Sequence, residues 1–237
     1  MPSVRYMTND NQVMKRICLL FTALFAAAIA LTSCNKPVDE PDPSDIGAVD
    51  LGLSVKWADR NLGARSFSDY GDYYAWGETG TKSDYTWENH KWYVPNDYSV
   101  ILPPYKKNER LLPEDDVATQ KLGEGWRMPT YKELQELQRK CMWERVMRNG
   151  VNCYKVTSKI NGNVIYLPMA GYKSYGKTYK QNVRGYYWSG ERARRGLNNC
   201  AQYLNLFSLG NEEGVICGFR YCHYGFAVRP VYAGVAE

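Results

Sequence analysis

Hydrophobic and polar positions divide this chain into segments with a clear period and segments with none. An apolar run from Ile17 to Leu31 follows Lys15 and Arg16 and ends in small residues before Cys34. It is too short and too poorly flanked for a bilayer span, and has the layout of a secretory signal over residues 1–33, with Met14 as the expected start. Residues 34–48 are rich in Pro and Asp without apolar periodicity, so they cannot bury enough surface to offset chain entropy and read as an acidic tether. Two helices are predicted beyond it. In PEDDVATQKLGEGW, Asp115 and Asp116 stand at an N-terminus, where carboxylates offset unpaired N–H groups, and Gly123 ends the helix. The second starts with a capping box, Thr130 with Glu133, carries Leu134, Leu137 and Cys141 at helical spacing, and is closed by Gly150.

Elsewhere the pattern is short strands between Gly and Asn turns: KWADRNLG, DYYAWGE, CYKVTSK, NVIYLPM, YYWSG, CAQYLNLFSLG and YGFAVRPVY. Ile160, Asn161 and Gly162 join two of these into a hairpin, because Asn-Gly accepts positive φ. Strands that do not alternate with helices predict an α+β class with a mainly antiparallel sheet over one domain, residues 49–237. No solenoid-length repeat is present. Twenty tyrosines and seven tryptophans are the compositional anomaly, suited to a loop-heavy core and to an adaptable contact surface. Without Arg5, Asp10, Lys15 and Arg16 the net charge falls from +5 to about +3. That is too small and dispersed for nucleic acid, and RARR at 192–195, the one basic cluster, reads as a solvated loop.

LTSC, Leu31 to Cys34, resembles the lipobox of bacterial lipoproteins, which implies cleavage before Cys34, acylation of its thiol and a membrane attachment through that lipid. The acidic stretch behind it resembles the surface-export signal of Bacteroidetes lipoproteins. VDLGLSVKWADRNLGA, YGDYYAWGET, EDDVATQKLGEGWRMPTYKELQELQRKCMW, GNVIYLPMAGYK, GYYWSG and YGFAVRPV, in this order over 49–232, together resemble the Fibrobacter succinogenes major paralogous domain of gut Bacteroidetes lipoproteins. The resemblance implies a C-type-lectin-like fold, shared with formylglycine-generating enzymes. That fold is a small twisted sheet with two flanking helices and long loops, in which both termini meet.

CGFRYCHYGFAVRP, residues 217–230, carries the candidate chemistry. Formylglycine-generating enzymes hold copper on two closely spaced cysteines and oxidise a substrate thiol, but their pair lies well upstream of the closing segment, whereas Cys217 and Cys222 almost touch it. A zinc site would need Cys200 or His90 beside Cys217, Cys222 and His223, at a spacing that fixes no tetrahedral set. Five cysteines remain after acylation in an exported chain, which leaves a link from Cys200 to Cys217 or Cys222 open and puts Cys141 in the core. The EPN, QPD and WND signatures of calcium-dependent lectins are missing. Asp69, Asp72, Glu78, Asp115 and Asp116 are better explained by turns and caps. No catalysis, cofactor or metal is expected.

The remaining reading is a recognition surface for a protein or a glycan. VICGFRYCHYGF shows neither a strand nor a helix period, and its mixture resembles the variable region of lectin-fold proteins diversified by retroelements. The predicted contact patch is Arg192, Arg194, Arg195, Asn198, Asn199, Val215, Ile216, Cys217, Phe219, Tyr221, Cys222 and His223, with Cys200 beside it and Arg220 as a further charged anchor. A copper-dependent oxidase and a structural subunit of a surface assembly are the alternatives.

Overall fold

The structure, a computed structural model, describes residues 45–95, 103–106, 109–193, 199–209 and 212–234. The strands β1 (Ala48–Val49) and β2 (Lys56–Ala58) come first, followed by helix α1 (Val117–Leu122), strand β3 (Trp126–Arg127) and helix α2 (Tyr131–Lys140). The rest is strand: β4 (Cys141–Arg148), β5 (Val151–Ser158), β6 (Val164–Pro168), β7 (Tyr172–Ser174), β8 (Lys177–Tyr179), β9 (Arg184–Arg192), β10 (Cys200–Leu209), β11 (Glu212–Tyr221) and β12 (Val231–Tyr232). The class is α+β, with two helices among the described residues and antiparallel sheets in the orders β1-β2-β12-β3, β4-β5-β6, β7-β8 and β11-β10-β9. No described helix is long and apolar enough to cross a membrane.

Local chemistry accounts for both helices. The Asp116 carboxylate accepts the Ala118 and Thr119 N–H groups and so caps α1, and Gly123, at φ 84°, ends it. In α2 the Thr130–Glu133 capping box is complete, and the Arg127 guanidinium forks onto Glu133 at 2.8 and 2.6 Å. The helix expected to reach Gly150 stops at Lys140, where Cys141 turns extended, at φ −116° and ψ 158°, and starts the ladder with β5. Asn149 and Gly150, at φ 51° and 77°, form a hairpin turn that pairs Arg148 with Val151. The same Asn-Gly chemistry, read there as a helix stop, was read as a turn at Asn161–Gly162, where Thr157 does pair with Val164.

Folded chain begins earlier than residue 49: Ile46 is buried and Ala48 already pairs with Ala58. At the other end β12 inserts between β2 and β3, pairing Val231 with Trp57 and with Arg127. Beside it lies a buried arginine, Arg229, whose guanidinium donates to the Asn61 side chain at 2.9 Å, the Ala58 carbonyl at 3.0 Å and the Tyr166 carbonyl at 2.6 Å. Those carbonyl dipoles replace water, and burial lowers its pKa only to about 10.

The sheet β9–β10–β11 separates two hydrophobic clusters. Tyr187, Leu204, Leu206, Val215 and Cys217 face one, shared with Leu134 and Leu137 of α2 and with β5 and β6. Tyr186, Trp188, Ala201 and Tyr203 face the other, with Trp76, Phe226 and Val228. DYYAWGE forms no named strand, yet it is extended: Tyr74 and Phe226 exchange backbone hydrogen bonds at 2.9 and 3.1 Å, and its side chains alternate between the clusters. Each buried aromatic contributes about 4–6 kcal/mol of transfer free energy before ordering entropy is subtracted.

Candidate functional site

β11 is regular strand, paired residue by residue with β10 from Cys200↔Tyr221 to Leu209↔Glu212, and not the aperiodic stretch its composition predicted. Two glycines explain why the period was illegible. Gly214 and Gly218 lie opposite Phe207 and Tyr203, whose rings occupy the space where a β-carbon would sit, so the inward-facing aromatic belongs to the neighbouring strand. Because β11 is the edge of its sheet, its outward side chains have no strand beyond them.

The predicted patch therefore separates. Ile216 and Phe219 are about half exposed, at 50% and 51%, while Arg220 is exposed and Tyr221 is half-buried with its ring 4.8 Å from Trp87. Val215 and Cys217 instead pack against the α2 cluster, and the Cys217 thiol lies 3.8 Å from Gln138 Oε1. Cys222 is fully buried in the opposite cluster, its N–H donating to the Asn199 carbonyl at 2.8 Å, and Cys200 is buried beside it. His223 is buried too, with ring centres of Trp87 and Tyr224 at 4.1 and 4.3 Å and an Nδ1 that has no partner among the described residues. Arg192 turns onto the Tyr105 carbonyl, and Asn199 accepts from the Cys200 thiol at 3.6 Å. Thus Cys222, His223, Cys200, Cys217 and Val215 point inward and form no outward contact surface, since strand pairing and the two cores claim them. Arg194, Arg195, Asn198 and Cys34 lie outside the described residues.

Neither does this stretch assemble a reactive centre. Cys217 and Cys222 serve different clusters, and burial pushes the Cys217 thiol up to about 12 and that of Cys222 well above its ordinary value, keeping both protonated. The five described cysteines are free thiols. Cys217 pairs opposite Leu204, four positions along β10 from Cys200, a strand separation of roughly 13 Å that no disulfide spans. Among the described residues no group of three or more His, Cys, Asp or Glu is placed to hold a metal ion. His90 donates from Nε2 to the Trp76 carbonyl at 3.1 Å, and burial lowers it to about 3. The acidic side chains have local duties: Asp116 caps α1, Asp115 binds Lys91 and the Tyr105 hydroxyl, Glu78 binds Lys82, and Asp69 accepts from Arg65 N–H.

What does assemble is a cleft of about 230 Å³ beside β11, lined by Tyr172, Lys180, Arg184, Tyr186, Arg220, Tyr224 and Phe226. β7 is held there from two sides: Lys173 and Gly225 exchange backbone hydrogen bonds at 2.8 and 2.9 Å, and Gly171 N–H donates to the Arg184 carbonyl at 2.7 Å. The walls are aromatic, with Tyr172 meeting Tyr186 and Tyr224 edge to face at 5.2 and 5.4 Å and Phe226 5.0 Å from Tyr186. Burial raises Tyr172 and Tyr224, so both hydroxyls remain protonated donors. Sequence reasoning missed Tyr172, Lys180, Arg184, Tyr186 and Tyr224. The available signal was the interleaving of Tyr with Lys and Arg through YKSYGKTYKQNVRGYY, which was passed over because it lies outside the cysteine-rich tail.

No protein-family model, curated protein or solved structure matches the chain.

Proposed function

We propose that the chain is a lipoprotein displayed at the cell surface through an acylated Cys34, and that its C-type-lectin-like domain binds a protein or glycan without catalysing a reaction. The observation that carries this reading is the edge strand β11, which leaves Ile216 and Phe219 half exposed on opposite faces of a sheet otherwise packed on both sides, beside an aromatic cleft. An exposed apolar pair costs solubility, and a rigid edge presents it with little entropy left to lose on binding. The insertion of β12 beside β2 supports the lectin-like assignment, since both ends of the domain then lie in one sheet. The separation of Cys217 from Cys222 into different clusters supports the binding reading over an oxidase that would need the two together. If β11 is diversified, its variable contact positions are Ile216, Phe219, Arg220 and Tyr221, because the others face the cores.

The test uses cells expressing the full chain, probed with glycan and protein arrays. Wild type is expected to bind a discrete set of array features, and Ile216→Ser/Phe219→Ser to lose at least ten-fold of that signal with an unchanged melting temperature. Cys34→Ser is expected to release the protein from the membrane fraction. Binding that survives the double substitution, an array blank for wild type, or membrane retention of Cys34→Ser would overturn the corresponding part.

A further inference from the structure

The cleft beside β11 has a chemistry more specific than a general contact surface. Its three cations, Lys180, Arg184 and Arg220, form no ion pair among the described residues. Elsewhere Arg127, Lys82, Lys91, Lys140 and Lys155 each meet a carboxylate. Like charges gathered at one opening repel, and a fold retains that arrangement at a cost unless an anion relieves it. Arg220 is exposed but lines the cleft, within electrostatic reach of Tyr172, Tyr203 and Tyr224. A guanidinium there offers a forked pair of donors, which matches a carboxylate or sulfate.

The walls and the volume narrow the class further. A quaternary ammonium ligand, which an aromatic box otherwise suits, is excluded by three cations at the rim. At about 230 Å³ the cleft is below the several hundred Å³ of sites that enclose drug-sized ligands, so it holds one ring. The Tyr172, Tyr186 and Tyr224 hydroxyls make no hydrogen bond among the described residues, and a purely aromatic acid would leave them unmatched, whereas a sugar ring offers hydroxyls at its edge and C–H groups at its face. A single-stranded nucleic acid shares the appetite for aromatics and cations, but needs a basic track along its phosphates, and this chain's small net charge supplies none.

We infer that this cleft is the subsite for an acidic sugar residue, with Arg184 and Arg220 supplying the positive charge that draws its carboxylate or sulfate and Tyr172, Tyr186 and Tyr224 packing and hydrogen-bonding its ring. The inference rests on the binding-module reading above and names the ligand class for the same face of the domain.

Isothermal titration calorimetry on the full chain in detergent, with a glucuronic-acid-terminated disaccharide, a galactose-6-sulfate disaccharide and a neutral disaccharide, distinguishes the sources of the anion. At least one acidic sugar is expected to bind at least ten-fold tighter than the neutral one, with affinity falling as salt rises. Arg184→Gln/Arg220→Gln is expected to lose at least ten-fold with its melting temperature within a few degrees of wild type, and Tyr172→Phe to lose a smaller factor through one hydroxyl. Equal binding of acidic and neutral sugars, acidic binding that survives the double substitution, or tighter binding of an acidic peptide or a single-stranded oligonucleotide would each overturn it. If array binding is lost in Ile216→Ser/Phe219→Ser while no acidic sugar binds, the subsite assignment alone fails; a blank array fails the wider reading.

Discussion

The sheets β4–β5–β6 and β9–β10–β11 are built alike, three antiparallel strands each with an edge open to solvent, and they use their surface charges in opposite ways. On the first, Glu144 and Lys155 pair across strands at 3.5 Å, Arg148 lies over the Tyr166 ring at 5.6 Å, and the edge strand β4 carries Glu144, Arg145 and Arg148. Charges on an edge that satisfy one another keep it from pairing with other chains. On the second, Arg184 and Arg220 line a cleft without a carboxylate among the described residues to answer them. A charge neutralised by its own fold serves the fold. A charge left over, gathered with others around a concavity, marks a place kept for something else.

One way to break this comparison is to remove a tryptophan from each sheet. Trp188 is fully buried, stacks on Phe226 at 4.1 Å and donates from Nε1 to the Tyr74 carbonyl at 2.9 Å. Trp188→Ala is expected to cost about 3–5 kcal/mol in a urea titration, from the cavity and the lost indole hydrogen bond together. Trp143 on β4 is only half-buried, meets Tyr154 at 5.9 Å and donates to the Gln138 carbonyl at 3.2 Å. Trp143→Ala is expected to cost about 1–2 kcal/mol. Equal losses would mean that the two sheets share one core in energetic terms.

Acid provides the next test, and it acts on the binding side. Burial lowers His223 to about 4 from its ordinary 6.5, with nearby His90 adding to the effect and Glu88 opposing it. The folded chain thus binds this proton more weakly than the unfolded chain, so the stability is fully present above about 6.5 and is lost as pH falls through the window toward 4. The sign favours His223→Phe, which keeps a flat ring among Trp87, Tyr221 and Tyr224 and removes a buried Nδ1 without a partner. Its stability advantage over wild type is expected to grow by about 3 kcal/mol between pH 7 and pH 4, measured by melting at each pH. An advantage that does not change with pH would show that the imidazole keeps its ordinary affinity for protons.

The sequence revealed those elements whose signals are local. Asp116, Gly123, the Thr130–Glu133 box and the Asn161–Gly162 turn each act within a few residues, so each could be read from spacing alone. Where a signal depends on a partner strand, the reading failed. Gly214 and Gly218 erased the period of β11 because Phe207 and Tyr203 of β10 fill their space, and the exposed look of Cys222 and His223 dissolved once Trp87 and Tyr224 covered them. The cleft was harder still. Tyr172 and Arg184 come from one stretch and Arg220 and Tyr224 from another, and only the pairing of β7 with Gly225 and the bridge to β9 bring the two together. Ile216 and Phe219 entered the predicted patch only with the whole aperiodic run VICGFRYCHYGF, and it is the strand pairing that separates them from its buried members.

The finest version of the comparison sets two glycines against each other. Gly150 and Gly171 both sit at positive φ, 77° and 67°, where an L side chain is strained. An added β-carbon at Gly150 meets nothing within 4 Å, so Gly150→Ala charges the hairpin sheet only for its backbone conformation, about 1 kcal/mol, and leaves sugar binding unchanged. At Gly171 the same carbon collides with the Tyr179 carbonyl and the backbone of Gln181, which cannot rotate away as a flexible side chain would. Gly171→Ala must therefore push β7 away from the stretch after β8, and Tyr172 is the very next residue. Its stability loss is expected to exceed that of Gly150→Ala by about 1 kcal/mol, but the decisive readout is affinity, with acidic-sugar binding falling at least ten-fold at a temperature where the variant is fully folded. If both variants bind alike, the position of Tyr172 does not matter to the ligand, and the cleft's aromatic wall reverts to being core.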